Sequence, residues 1–232
     1  MSALIRKMIF KSCLVSLLSL IVVTAPQAQT PSTQKPNLDA ITQFKSFLVN
    51  VKNSEGDFAQ QQIRPPKQGE NQAKVLRKSQ GNFVFQRPGQ FVWETKKPFE
   101  QKVIADGSQL LLWDKDLNQL TTRPAGQGLA ASPAAILFGN TSVDEHFDLI
   151  PGEDRGGVLW LELKPKVTGK GDAPYSRIGV GMKDGLPVGL ELHDNFGTVV
   201  LINLSKIKTN ITLGPQTFKF SPPTGAEVFK VK

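Results

Sequence analysis

The stretch Gly81-Asn82-Phe83-Val84-Phe85-Gln86-Arg87-Pro88-Gly89-Gln90-Phe91-Val92-Trp93 holds the reading of the whole chain. Phe83 and Phe85 stand two residues apart on one side of Arg87-Pro88-Gly89, and Phe91 and Trp93 stand two apart on the other. Successive side chains of a strand point to opposite faces, so each pair shares one face. Proline fixes one backbone dihedral and glycine tolerates a positive one, which makes the centre a tight turn. The segment therefore reads as an antiparallel hairpin with an aromatic face.

The same pattern repeats on both sides. Strands are expected over residues 57–63, 81–86, 90–95, 100–105, 110–113 and 117–122, and again over 147–150, 158–164, 177–182, 186–193 and 198–207. Asp106-Gly107 and Asp184-Gly185 are strong hairpin turns. Some ten or eleven short antiparallel strands with almost no intervening helix favour a barrel or a strongly curved sheet. Two helices are expected beside it. Leu38, Ile41, Phe44, Phe47 and Leu48 recur at helical spacing behind Asn37, a candidate cap. Ser132-Pro133 opens the second, a short segment from Ala134 to Phe138 that is apolar nearly all round and must be covered by protein or ligand. Two short helices can leave a concave face incompletely filled, as an apolar ligand cavity at a barrel mouth. Alternatively Phe83, Phe85, Phe91, Trp93, Leu110, Leu112 and Trp160 pack the interior as a dry core.

The N-terminus carries Arg6, Lys7 and Lys11, an apolar run from Cys13 to Val23, then small and polar residues through Ala28. This is the layout of a secretory signal peptide, too short to span a bilayer at roughly 20 residues. Residues 1–28 are expected to be removed, leaving a single domain over residues 29–232. Its formal charge falls from +8 to +5 because three cations leave with the leader. Cys13 is the only cysteine, so the mature chain has no disulfide, thiolate metal site or cysteine nucleophile. The remaining basic residues are scattered, and no aromatic-interleaved basic stripe suggests nucleic acid.

Catalytic chemistry finds no support. His146 and His193 are far apart and show no metal-ligand spacing, and each reads as part of a solvated loop or turn. No glycine-rich stretch leads into a phosphate loop, and no serine occupies a Gly-x-Ser-x-Gly elbow. The expectation is a non-enzyme without cofactor or metal.

Gly81 to Trp93 resembles the signature of the outer-membrane lipoprotein carrier protein family (LolA), in which a strand ends in Arg-Pro and the next opens with Phe-x-Trp. Ala105-Asp106-Gly107 with Leu111, Trp113 and Gln119 is similar to the family's Asp-Gly hairpin, and Ser132-Pro133 falls where the family has a lid helix. Phe58-Ala59-Gln60-Gln61 fits its first strand. Phe218 to Gly225, with Pro222-Pro223, is similar to its C-terminal strand and diproline turn. The resemblance implies a half-open antiparallel β-barrel whose concave apolar face is closed by helices. It implies a periplasmic chaperone that takes the acyl chains of lipoproteins from an inner-membrane, ATP-driven release complex to an outer-membrane receptor. Phe91, Trp93, Leu110 and Leu112 would line the cavity, and Ile136 and Leu137 of the lid with Phe44, Phe47 and Leu48 would cover it. Arg87 matches the arginine that fastens the lid to the barrel through backbone carbonyls. The receptor of the same fold carries a lipid-bearing cysteine at its mature N-terminus, which is absent here. A same-fold sensor with another ligand, or an unrelated periplasmic lipid-binding barrel, are the other readings. A monomer is expected.

Overall fold

Period-two alternation governs most of the chain in the computed structural model, which describes residues 39–125, 137, 143–166 and 175–231. The first six strands are β1 (Asn53–Arg64), β2 (Lys74–Gln86), β3 (Gln90–Lys97), β4 (Gln101–Asp106), β5 (Gln109–Asp114) and β6 (Gln119–Pro124). Six more follow: β7 (Phe147–Arg155), β8 (Val158–Pro165), β9 (Tyr175–Lys183), β10 (Leu186–Asp194), β11 (Val199–Thr209) and β12 (Glu227–Lys230). All twelve form one sheet in the order β12-β6-β5-β4-β3-β2-β1-β11-β10-β9-β8-β7. Every neighbouring pair is antiparallel except β12, which lies parallel to β6. The sheet has edges at β7 and β12 and stays unclosed.

Its curvature follows from which side chains meet. Leu110 of β5 and Val180 of β9 belong to the same buried cluster. Seven strand spacings separate β5 from β9 in the sheet order, roughly 34 Å if the sheet were flat. The sheet therefore bends around one inner face, as an incomplete barrel. Phe58, Phe83, Phe85, Phe91, Leu161, Leu163, Ile178, Met182, Leu190 and Ile202 all point inward.

Helix α1 (Ala40–Asn50) packs on that face. Its cap is Asp39, whose carboxylate accepts from the Thr42 N–H at 3.0 Å and the Thr42 hydroxyl at 2.7 Å. The expected cap, Asn37, lies outside the described residues, and an Asp-x-x-Thr spacing suits the donors of the first turn. Helix α2 (Val143–His146) is a single turn leading into β7. Of the expected lid helix, Leu137 alone is described, helical and fully buried.

The hairpin turns match the expected residues. Asp106 accepts from the N–H groups of Ser108 and Gln109, each at 2.8 Å, and Asp184 and Gly185 both have positive φ. The proline-rich stretch 64–71 belongs to the β1–β2 connection, where Glu70 binds Arg64 at 2.9 Å. Residues 169–174 lie outside the described set. Two expectations change. The C-terminal strand is Glu227–Lys230, after the diproline and not before it. Phe218 and Phe220 instead lie on the outer face, where Phe220 joins Ile104, Leu111, Trp113 and Leu120 in a second apolar cluster. Trp160 also faces outward. Its ring occupies the space left by Gly181 and Gly189, where an added Cβ would approach it to 2.9 and 3.1 Å, and Arg155 lies 3.8 Å above it.

Candidate functional site

Strand register assembles the inner face. Phe91 pairs with Phe85 and Ala105, and Trp93 pairs with Phe83 and Val103. Leu110 pairs with Ala105 and Leu112 with Val103, so the four expected lining residues share the concave surface. Phe91, Trp93 and Leu110 are buried there, and Leu112 is partly buried against the same cluster. Helix α1 lays Phe44, Phe47 and Leu48 onto this surface, all nearly inaccessible, and Leu137 joins them. Ile136 lies outside the described residues.

Arg87 sits between these layers at the end of β2. Its Nε donates to the Val51 carbonyl at 3.1 Å, and its Nη2 donates to the Leu137 carbonyl at 2.7 Å. Val51 is the C-terminal cap of α1, where carbonyls lack helical partners. The guanidinium also lies 5.5 Å from the Phe47 ring centre and 5.0 Å from that of Phe85. Burial pulls its pKa down to about 10, which leaves it charged at neutral pH. One side chain thus ties two separate backbone segments to the sheet. At the same end, the Gly185 N–H donates to Gln43 of α1 at 2.9 Å.

Away from α1, an aromatic shelf crosses the groove. Phe58 stacks on Trp93 with ring centres 4.0 Å apart, and Phe83 follows at 6.0 Å. Gly81 makes room for it. A Cβ there would fall 1.8 Å from the Glu94 carbonyl oxygen and 3.0 Å from the Phe58 ring. Beyond Trp93 a cavity of about 250 Å³ is bounded by Gln60, Arg77, Ser79, Thr95, Phe99 and Val200 among others.

Sequence reasoning did not name the second wall of the groove, formed by Leu161, Leu163, Ile178, Val180, Met182, Leu190 and Leu192. Its signal was the alternation within β8, β9 and β10. The polar inner positions Gln60 and Ser79 were also missed, because polar residues in a strand ordinarily mark the solvent face. His146 ends α2, and His193 lies on the outer face of β10 beside Arg177 and Glu191. Burial, then the Arg177 charge, lowers the His193 pKa. Among the described residues no three potential metal ligands cluster, and no helix is long and apolar enough to cross a membrane.

Fold and site together define an incomplete β-barrel with an apolar concave face, covered at one end by helical segments that an arginine ties down. A profile of the family described as "Outer membrane lipoprotein carrier protein LolA" matches residues 49–221, and the chain belongs to that family. It is similar to an outer-membrane lipoprotein carrier protein of Cupriavidus taiwanensis, 44% identical over 191 residues covering 82% of this chain and 88% of the relative. A protein of that name from Ralstonia nicotianae is 41% identical over 82% of this chain and 87% of its own length. The fold also resembles a solved structure of an uncharacterized conserved protein from Thermus thermophilus, with a TM-score of 0.51 at 13% identity. That match covers 82% of this chain and 97% of the other.

Proposed function

We propose that the protein is a periplasmic chaperone that carries acylated lipoproteins across the periplasm, with residues 1–28 as a removable signal peptide and residues 29–232 as the carrier domain. The inner-membrane, ATP-driven release complex supplies the cargo and an outer-membrane receptor accepts it. The relatives named as lipoprotein carriers support this reading. The observation that carries it is the way the apolar face is covered. Helix α1 and the segment at Leu137 lie on it as separate pieces, and Arg87 donates to a backbone carbonyl of each.

Such a cover suits reversible loading. A buried methylene is worth roughly 0.8 kcal/mol, so a sixteen-carbon acyl chain exposed to water costs on the order of 12 kcal/mol. A carrier has to offset most of that and still release its load. Phe91, Trp93, Leu110 and Leu112 form the acyl-contacting wall in this reading. Phe44, Phe47, Leu48, Ile136 and Leu137 form the cover, and Arg87 is the latch. The protein acts alone, as a monomer, and makes or breaks no covalent bond.

The test is release of a radiolabelled lipoprotein from spheroplasts by the added purified protein. The expected result is a soluble one-to-one complex of carrier and lipoprotein. A same-fold lipid sensor would release none, and that outcome would overturn the proposal.

A further inference from the structure

The strand register divides the barrel into two ends. The β2–β3, β4–β5 and β9–β10 turns lie at the end where α1 packs. The β1–β2, β3–β4 and β10–β11 connections lie at the opposite end, beside the cavity beyond Trp93. From Arg64 to Lys102 the chain has nine cations, of which Arg87 stands at the α1 end, and three acids. Each acid is already paired: Glu70 with Arg64, Glu94 with Lys102 and Glu100 with Lys115. Lys74, Arg77, Lys78, Lys96 and Lys97 form no ion pair among the described residues and stand on neighbouring strands β2 and β3. Gln80 pairs with Lys97, two residues from Lys78.

Exposed aromatic rings stand on the same rim. Phe99, at 53% exposure, occupies the β3–β4 connection and bounds the cavity together with Arg77. Phe196, at 94% exposure, sits in the β10–β11 turn, next to the end of β1 through the Ile63–Val199 pairing. Apolar rings at turn tips together with basic side chains are the combination that suits a bilayer surface, the rings at the headgroup–acyl boundary and the cations on anionic headgroups.

We propose that this rim docks on the surface of an anionic phospholipid bilayer, with the lysines on the headgroups and Phe99 and Phe196 at the level of the acyl boundary. Two features favour lipid over an acidic protein. Four of the five free cations are lysines, a residue depleted at protein interfaces, where arginine is enriched. The aromatic rings also project from separate turns and do not form one packed patch, as anchors in a deformable layer can. Docking this way turns the polar-lined cavity at Gln60, Arg77 and Ser79 toward the leaflet.

The experiment is sedimentation of the purified protein with vesicles of phosphatidylglycerol and phosphatidylcholine, or of phosphatidylcholine alone, at low and high salt. The expected result is binding to the anionic vesicles only, weakened by salt. Each lysine near such a surface contributes about five-fold, so the Lys96→Gln, Lys97→Gln double variant should bind about 25-fold more weakly. Phe99→Ser should bind more weakly with an unchanged salt dependence. These positions are exposed, and an unchanged thermal midpoint shows that the variants fold. Equal binding to neutral vesicles, or full binding by the double variant, would overturn the proposal. So would an absence of vesicle binding combined with loss of cargo hand-over in the double variant, which would assign the rim to an acidic protein surface. Release of lipoprotein from spheroplasts by wild type is scored separately, so failure of the carrier reading and failure of the docking reading are distinguishable.

Discussion

The guanidinium of Arg87 lies against Phe47 and Phe85, and the backbone carbonyls of Val51 and Leu137 accept hydrogen bonds from it. Hydrogen bonds of this charged kind contribute about 1.5–3 kcal/mol each, enough to bias the cover without locking it. Arg87→Leu leaves the apolar face intact, so it should still accept a lipoprotein and pass it on poorly. Amide exchange should quicken in α1 and near Leu137 while the strands stay protected. Exchange that rises equally everywhere would mean that the residue supports the fold as a whole. Gly81 makes a different kind of demand. With the Glu94 carbonyl 1.8 Å from where a Cβ would sit, Gly81→Ala forces the β2–β3 backbone apart and should cost about 1–3 kcal/mol in urea unfolding. At Gly89 nothing lies within 4 Å, and only its φ of 70° opposes a side chain, so Gly89→Ala should cost about 1 kcal/mol. The sequence marks both glycines alike, as turn or strand punctuation. The difference between them comes from a neighbouring strand.

Helix α1 and strand β12 are the elements whose removal is most informative. α1 holds its place through Phe44, Phe47 and Leu48, and truncating Phe47 to alanine should cost about 3–5 kcal/mol and loosen the Arg87 contact with it. Strand β12 is short, exposed along its length and parallel to β6. Ending the chain after Gly225 would bare the β6 edge while leaving Phe220 on Trp113 at 5.5 Å. The truncated protein should fold with little loss of stability and self-associate faster, measurable by light scattering. A large loss of stability would show instead that β12 holds the outer cluster together. Eleven strands were legible from alternation and turn residues. β12 was not, since both of its faces are exposed and Val228, Phe229 and Lys230 show no alternation of burial for a pattern to report.

Across the whole molecule, several carboxylates are held below their ordinary pKa by local hydrogen bonds. Asp39 receives the Thr42 hydroxyl and N–H, Asp114 receives the Gln101 amide and the Leu117 N–H, and Glu100 receives Lys115. The unfolded chain binds more protons wherever folded values are the lower, so stability rises with pH through that window. The thermal midpoint should decline slightly as the pH falls below about 6.5, where His193 is held low, and more steeply below about 4 through the depressed carboxylate values. Asp39→Asn should cap α1 still and fall less steeply, and a midpoint unchanged down to pH 3 would refute the linkage. What the sequence determined by itself was local: strands, hairpin turns, an amphipathic first helix, and the Arg87-Pro88-Gly89 turn between two aromatic pairs. These depend on dihedral preferences and on periodicity within a dozen residues. Tertiary structure alone decided that β5 and β9 share one core, that Trp160 faces outward over glycines, and that Arg87 reaches Val51 and Leu137. It also gathered, on one rim, two exposed phenylalanines and five cations that form no ion pair among the described residues. Each of these depends on which strands the curved sheet brings together, and that long-range pairing leaves no mark on the spacing of residues along the chain.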